Sequence, residues 1–377
     1  MKTTLFALFL LASLSVFSQR PVLAKNVFLI TTDGFRWQEV FNGADTALIH
    51  NLKFVKDTAL MQDLYGASTP ELRRQKLMPF FWNVIAKKGQ LIGNRNYENK
   101  VNVSNFYKIS YPGYNEMLTG YPDPKLIPNT PRFNENINIL EYLNTQPEYS
   151  GKVVAFSSWN IFPYILNKNR NDLEINSGYE AIREEDSTDV YINQVQADIK
   201  QKTHCRYDQL TFLSAKEYIE TNHPRVVMLG LGETDEFAHQ GKYDQYLEQA
   251  NNVDKMIAEL WYYVQTDPFY KDNTSFIITT DHGRGKKPTS WYAHNLFVKG
   301  SGDIWQAMLG PGIAPLGEIK TAEQIYLKQT AATIAILLGE KFTSNHSVAK
   351  AIHLQNTQPA VTKTVDSVTT EAIVLQK

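Results

Sequence analysis

A single cysteine, Cys205, occurs in 377 residues. That excludes an internal disulfide framework and any cysteine-rich zinc module, leaving a lone buried or surface thiol. Charge imbalance is missing too: 38 basic side chains stand against 39 acidic ones. Nothing in that balance favours nucleic acid as a stable partner or an anionic membrane surface. Beyond the amino terminus there is no apolar run of about 18 residues, the length a membrane span requires. No internal repeat and no linker long enough to force separate domains occur either. What remains is a chain with 43% hydrophobic residues, enough to fill one large α/β domain or two ordinary ones.

The amino terminus carries a different signal. Met1-Lys2 is positive, Leu5 to Phe17 is apolar, and Ser15 to Gln19 is a small-residue exit. Together they read as a cleaved secretory signal over residues 1–18. Expected from this are export to the periplasm or the extracellular space, no membrane contact after cleavage, and folding from residue 20 onward. The remaining chain divides into one catalytic domain over 20–354, with a cap or insertion around 157–206, and a polar tail over 355–377.

Three stretches organise that domain. Thr274 to Gly283 is a short β-branched and aromatic run ending on Asp281, His282 and a glycine. Asn26 to Gly34 repeats the pattern, with two threonines before Asp33. Arg225 to His239 is a third apolar run, entering an Asp-x-x-x-His spacing at Asp235 and His239. Each run predicts a buried strand, and ligands of open α/β sheets sit beyond the carboxyl ends of strands. An Asp at a strand end is often no more than turn chemistry. Three strands all ending on carboxylate and imidazole donors instead have the composition of a metal site.

Between these runs, the periodicity of Tyr243 to Val264 predicts a long helix, stopped at Asp267-Pro268. A strand, helix, strand order makes its flanking strands parallel and places their ends at one sheet edge. Asp254 and Glu248 fall on the polar face of that helix, expected to be solvated. Helices are also predicted over Leu77 to Lys88, Ile137 to Leu143, Tyr207 to Thr221 and Thr321 to Leu338. Another begins just after Ser110, with Pro112 in its first turn. Ser110 then stands at a helix amino terminus, which can serve as a simple cap or offer N–H groups to an anion.

In this order the motifs resemble the alkaline phosphatase superfamily, especially its nucleotide pyrophosphatase/phosphodiesterase and phosphatase branches. The resemblance spans residues 26 to 312. It implies a three-layer α/β/α sandwich with a mostly parallel central sheet, two divalent metal ions, most simply Zn2+, and a small phosphate-ester substrate. Carried over by position, Asp33, Asp281 and His282 match the ligands of one metal; Asp235 and His239 match two ligands of the other. His294 is the best placed third ligand, with His346 in reserve. Ser110, followed by Tyr111, Pro112 and Thr119-Gly120, falls where the family has its nucleophile. Lys108 and Arg284 are candidates to bind remaining phosphate charge, and Asn129 or Asn134 to bind an oxyanion. Trp37, Tyr114, Trp159 and Trp291 are candidates for an aromatic platform. His50, His204, His223 and His353 lack such context. The expected activity is phosphoric ester hydrolysis through a metal-activated serine and a phosphoserine. A sulfatase, a phosphoryl-transfer enzyme and a non-catalytic metal-binding surface module are the alternatives. Against the sulfatase, Tyr114 stands where that motif requires Arg.

Overall fold

A computed structural model describes residues 22–126, 129–183 and 186–354. The expected signal and tail lie outside these residues. The strands are β1 (Asn26–Thr32), β2 (Gly89–Ile92), β3 (Asn99–Asn102), β4 (Val153–Ser157), β5 (Glu174–Ser177), β6 (Val226–Leu231), β7 (Thr274–Thr279), β8 (Asp303–Ile304), β9 (Gln306–Leu309), β10 (Gly317–Glu318) and β11 (Glu323–Tyr326). Eight of them form the central sheet in the order β10-β2-β9-β7-β1-β6-β4-β5, and β11-β3-β8 form a small second sheet. β1 pairs in parallel with β6 on one side and β7 on the other; β9 alone runs antiparallel, between β2 and β7.

Side chains alternate across a strand, so an apolar run fills both faces of the sheet when both are covered. Phe28, Ile30, Val227, Leu229, Phe276 and Ile278 enter the core beneath the Tyr243–Thr266 helix. Val27, Leu29, Val226, Met228 and Ile277 enter the opposite core, with residues of the helices Ser110–Thr119, Ile139–Asn144 and Thr330–Leu337. These are the expected three layers.

Several boundaries depart from expectation. The Leu77 to Lys88 helix starts two residues late: Leu77 ends the preceding helix Pro70–Leu77, and residues 79–88 form one helical stretch with Pro79 in its first turn and a π-helical turn over Phe81–Ile85. Pro lacks the N–H and disfavours helical conformation in the residue before it. Of Thr321 to Leu338, only Thr330–Leu337 is α-helical; β11 occupies the start. The 157–206 stretch does not stand wholly outside the sheet, since Glu174–Ser177 is its edge strand beside β4. Asp254 is not solvated: it is fully buried, and its carboxylate accepts from the Phe80 and Phe81 N–H groups at 2.7 and 3.0 Å.

Candidate metal and active site

The parallel strands deliver their carboxyl ends to one edge. Asp33 follows β1, and its N–H donates to Leu231 O at the end of β6, 2.8 Å away. Asp281 and His282 follow β7, and Asp235 and His239 lie on the Glu233–His239 helix that follows β6. Two donor sets emerge, each with ligand atoms within 4.8 Å of one another: Asp33, Asp281 and His282, and Asp235, His282 and His294. His239 joins the second, its Nε2 lying 3.0 Å from both Asp235 Oδ2 and His294 Nε2. All six ligand candidates therefore converge. His346 does not; it stacks on Tyr121 with ring centroids 4.9 Å apart.

Ser110 is the first residue of the Ser110–Thr119 helix; Ile109 takes the cap position expected of the serine. Ser110 Oγ is 3.3 Å from His282 Nε2 and 3.5 Å from Asp33 Oδ1. The helix terminus directs its partial positive charge at this spot. Two glycines permit the assembly. Gly34 has φ +59, and a Cβ there would meet Asp235 Oδ1 at 2.7 Å. At Gly113 a Cβ would meet the Asp281 carbonyl oxygen at 2.4 Å.

The donor set fits divalent cations. A carbonyl can only accept, so His282 Nδ1–H donates to Gly283 O at 3.0 Å and His294 Nδ1–H to Lys108 O at 3.3 Å. In its neutral form each imidazole then presents a bare Nε2 lone pair on the side of the carboxylates, the outer arrangement that metal-binding histidines use. Asp281 Oδ2 is buried and has no hydrogen-bond partner among the described residues. Burial and the neighbouring Asp33 push the Asp281 carboxyl up to about 7. Burial works against the His282 imidazolium, yet Asp281 and Asp33 raise it to about 9. His294 is driven the other way by burial and by His282, Arg284 and His239. Three carboxylates and three imidazoles held this close settle most simply around positive charge.

One expected charge clamp, Arg284, is corrected by the geometry. Arg284 is buried, and its guanidinium donates to Gly34 O, Tyr292 O and Asp235 O at 3.0, 2.6 and 3.3 Å and contacts the Asp235 carboxylate. It supports the ligands from behind. Lys108 meets the site through its carbonyl, which accepts from His294 Nδ1–H, at a strained φ of +54, and its Cδ and Cε lie close to Gly302.

A pocket of about 120 Å³ opens beside Ser110, lined by Asp33, Asn129, Trp159, His204, Cys205, Gly232, Asp235, Glu236 and His239. Asn129 is thus at the site, its Oδ1 accepting from Tyr111 N–H at 2.9 Å, whereas the Asn134 amide donates to Asn115 Oδ1. Trp159 is the one aromatic candidate among the residues lining it. Trp291 is buried against Phe54, Tyr243 and Tyr246, Tyr114 packs on Phe162, and Trp37 packs on the core. His204, Cys205 and Glu236 carried no signal of a pocket role in the sequence.

A model of the metalloenzyme superfamily matches residues 174–290, a span that includes Asp235, His239, Asp281 and His282. No curated protein sequence matches the chain. Among solved structures, the wild-type alkaline phosphatase PafA is similar at a TM-score of 0.59, with 10% identity over 88% of this chain and 98% of that one. The lipoteichoic acid synthase LtaP from Listeria monocytogenes is similar at 0.54, with 12% identity over 86% and 74%. A 2-O GAG sulfatase is similar at 0.51, with 12% identity over 85% and 72%.

Proposed function

Taking as premise the alkaline phosphatase superfamily, which the family match and the shared fold support, we propose that this chain is an exported, metal-dependent phosphoric ester hydrolase with Ser110 as nucleophile. The observation that carries the reading is one hydroxyl, Ser110 Oγ, within 3.5 Å of His282 Nε2 and Asp33 Oδ1 at a helix amino terminus. Asp33, Asp281 and His282 would hold one divalent cation and Asp235, His239 and His294 another, most simply Zn2+. Such cations supply Lewis acidity that makes a serine alkoxide accessible at neutral pH and stabilises a departing oxygen. Ser110 Oγ forms a bond to phosphorus as the ester oxygen leaves, giving a phosphoserine; water then cleaves the Oγ–P bond and releases phosphate or its monoester. Asn129, which also lines the pocket, would contact an equatorial oxygen.

Ser110→Ala is expected to retain its metal and lose both labelling and turnover of p-nitrophenyl phosphate and bis-p-nitrophenyl phosphate. Metal analysis, mass spectrometry of the trapped intermediate and the two chromogenic assays check this, and undiminished turnover rejects the assignment. A sulfatase shares the fold, but that chemistry modifies a Cys or Ser in a motif with Arg where Tyr114 stands buried. An unmodified Ser110 mass separates the two. Among the described residues no helix is long and apolar enough to cross a membrane; export itself rests on the amino-terminal pattern.

A further inference from the structure

Glu116 is a buried acid with no part in the chemistry at Ser110. It lies on the Ser110–Thr119 helix that the nucleophile begins, and it is fully buried. Its carboxylate accepts from the backbone N–H groups of Ser104, Asn105 and Lys328 at 2.8, 2.7 and 3.2 Å, and from the Asn105 side-chain amide at 2.9 Å. N–H groups converging on a carboxylate favour its charged form and make the strong kind of hydrogen bond. The acid therefore pins Ser104 and Asn105 to the helix that carries the nucleophile.

Asn105 passes that anchorage on. The residue is buried, and with its amide committed to Glu116, its Oδ1 accepts from Lys108 N–H at 2.7 Å. This closes a local turn of the kind that Asn side chains make with nearby backbone. Inside it Lys108 is held at φ +54, a left-handed conformation that long side chains rarely adopt and that the surroundings must enforce. The turn aims the Lys108 carbonyl at His294 Nδ1, 3.3 Å away. The His294 ring also stacks on His282, with centroids 3.7 Å apart and an interplanar angle of 10°. A stack fixes the plane of a ring but not which nitrogen points which way. The carbonyl makes that choice, because it accepts only from N–H and so leaves Nε2 bare beside His239 and Asp235.

We propose that Asn105, anchored by Glu116, is a positioning residue for the second cation: by holding Lys108 left-handed it sets the tautomer and the orientation of His294. The proposal rests on the two-cation reading above. Because the same turn leads into Ser110, the loop that delivers the nucleophile also decides whether the second donor set is complete.

Asn105→Ala removes the oxygen that closes the turn and lets Lys108 relax to negative φ. When the metal-free full chain is titrated calorimetrically with Zn2+, the first equivalent should bind this variant as it binds the wild type. The second should bind about tenfold more weakly, the lower end of what losing outer partners costs a metal site. Adding Lys108→Gly should recover most of that loss, since glycine takes the left-handed conformation without penalty. A chain that had merely been loosened would be loosened further by glycine. Wild-type binding of both equivalents by Asn105→Ala, or a double variant weaker than the single one, overturns the positioning role and leaves the two-cation reading intact. A second measurement needs no metal. In metal-free protein with nitrogen-15 imidazoles, assigned by comparison with His294→Gln, His294 should be the Nδ1–H tautomer in the wild type and a mixture in Asn105→Ala. That change in a chain that takes up no Zn2+ upholds the role of Asn105 and rejects the two-cation reading. One tautomer in both proteins without Zn2+ uptake rejects both.

Discussion

A guanidinium offers its N–H donors in a fixed fork, and Arg284 directs that fork at three backbone carbonyls and the Asp235 carboxylate. Burial lowers it to about 9, against the pull of Asp33. A lysine has the charge but not the fork, and cannot satisfy three carbonyls on separate loops at once. Arg284→Lys is therefore expected to release metal more readily and to lower kcat/KM by about tenfold or more, the size of effect seen when groups that orient metal ligands are removed. Lys108→Ala keeps the carbonyl that holds His294 and removes a side chain whose Cδ and Cε lie close to Gly302, so the loss should stay under about threefold, within the scatter of surface changes. Metal content after dialysis and chromogenic kinetics on both variants check the pair; the reverse ranking would restore Lys108 as the phosphate contact. The sequence could place Arg284 next to Asp281 and His282, but adjacency in the chain carries no information about which way a side chain points. Five of the six ligand candidates were legible because each ends a recognisable strand or sits at helical spacing; His294, in a loop, came only from the order of motifs in the resemblance. His204 and Glu236 were not, because a bridge between distant loops, Trp159 with Cys205, brings them together.

Elements meet at this site with little clearance. The Ser110–Thr119 helix lies so close to the end of β7 that a Cβ at Gly113 would fall 2.4 Å from Asp281 O. Only glycine allows that approach, and the approach sets the distance between Ser110 Oγ and His282. Gly113→Ala should push the helix outward, costing about 1–3 kcal/mol in stability, as overpacking does. Activity should fall by at least about tenfold, because displacement of a reacting group by about 1 Å is enough for that. Thermal unfolding and chromogenic kinetics read the two effects. A variant that unfolds at the wild-type temperature with full activity would show that the helix has room to move. The sequence announced this helix through Pro112, yet not its clearance, since close approach is a property of the packed pair. Elsewhere the periodicity misled: Thr321 to Leu338 has helical spacing, but pairing of β11 with β3 captures its start.

At the scale of the whole molecule, the strand ends were legible because fully apolar runs demand a sheet covered on both faces, and such a sheet puts its ligands at one edge. The segment Trp37 to Lys88 was less so, since its short helices cover the first core through contacts no local pattern encodes. One of those contacts fixes a pH dependence. Asp254, in the middle of the Tyr243–Thr266 helix, binds this segment by accepting from Phe80 and Phe81 N–H. Burial pushes its carboxyl up to about 7, against the two N–H bonds and Lys255. In the unfolded chain the same carboxyl titrates near 3.9. Between those two values the unfolded state has lost its proton while the folded state keeps it, so stability falls as pH rises from about 4 to about 7 and levels off above. The slope from this one group is at most about 1.4 kcal/mol per pH unit. Asp254→Asn cannot ionise, so it removes that slope, and its amide can accept only one of the two N–H bonds, which lowers stability at pH 4.5 by about 1–3 kcal/mol. The stability difference between wild type and variant, taken from urea unfolding between pH 4.5 and 8, should therefore shrink as pH rises. Parallel curves would mean that Asp254 is ionised in the folded protein and that the Trp37 to Lys88 segment is held to the long helix by a buried charge.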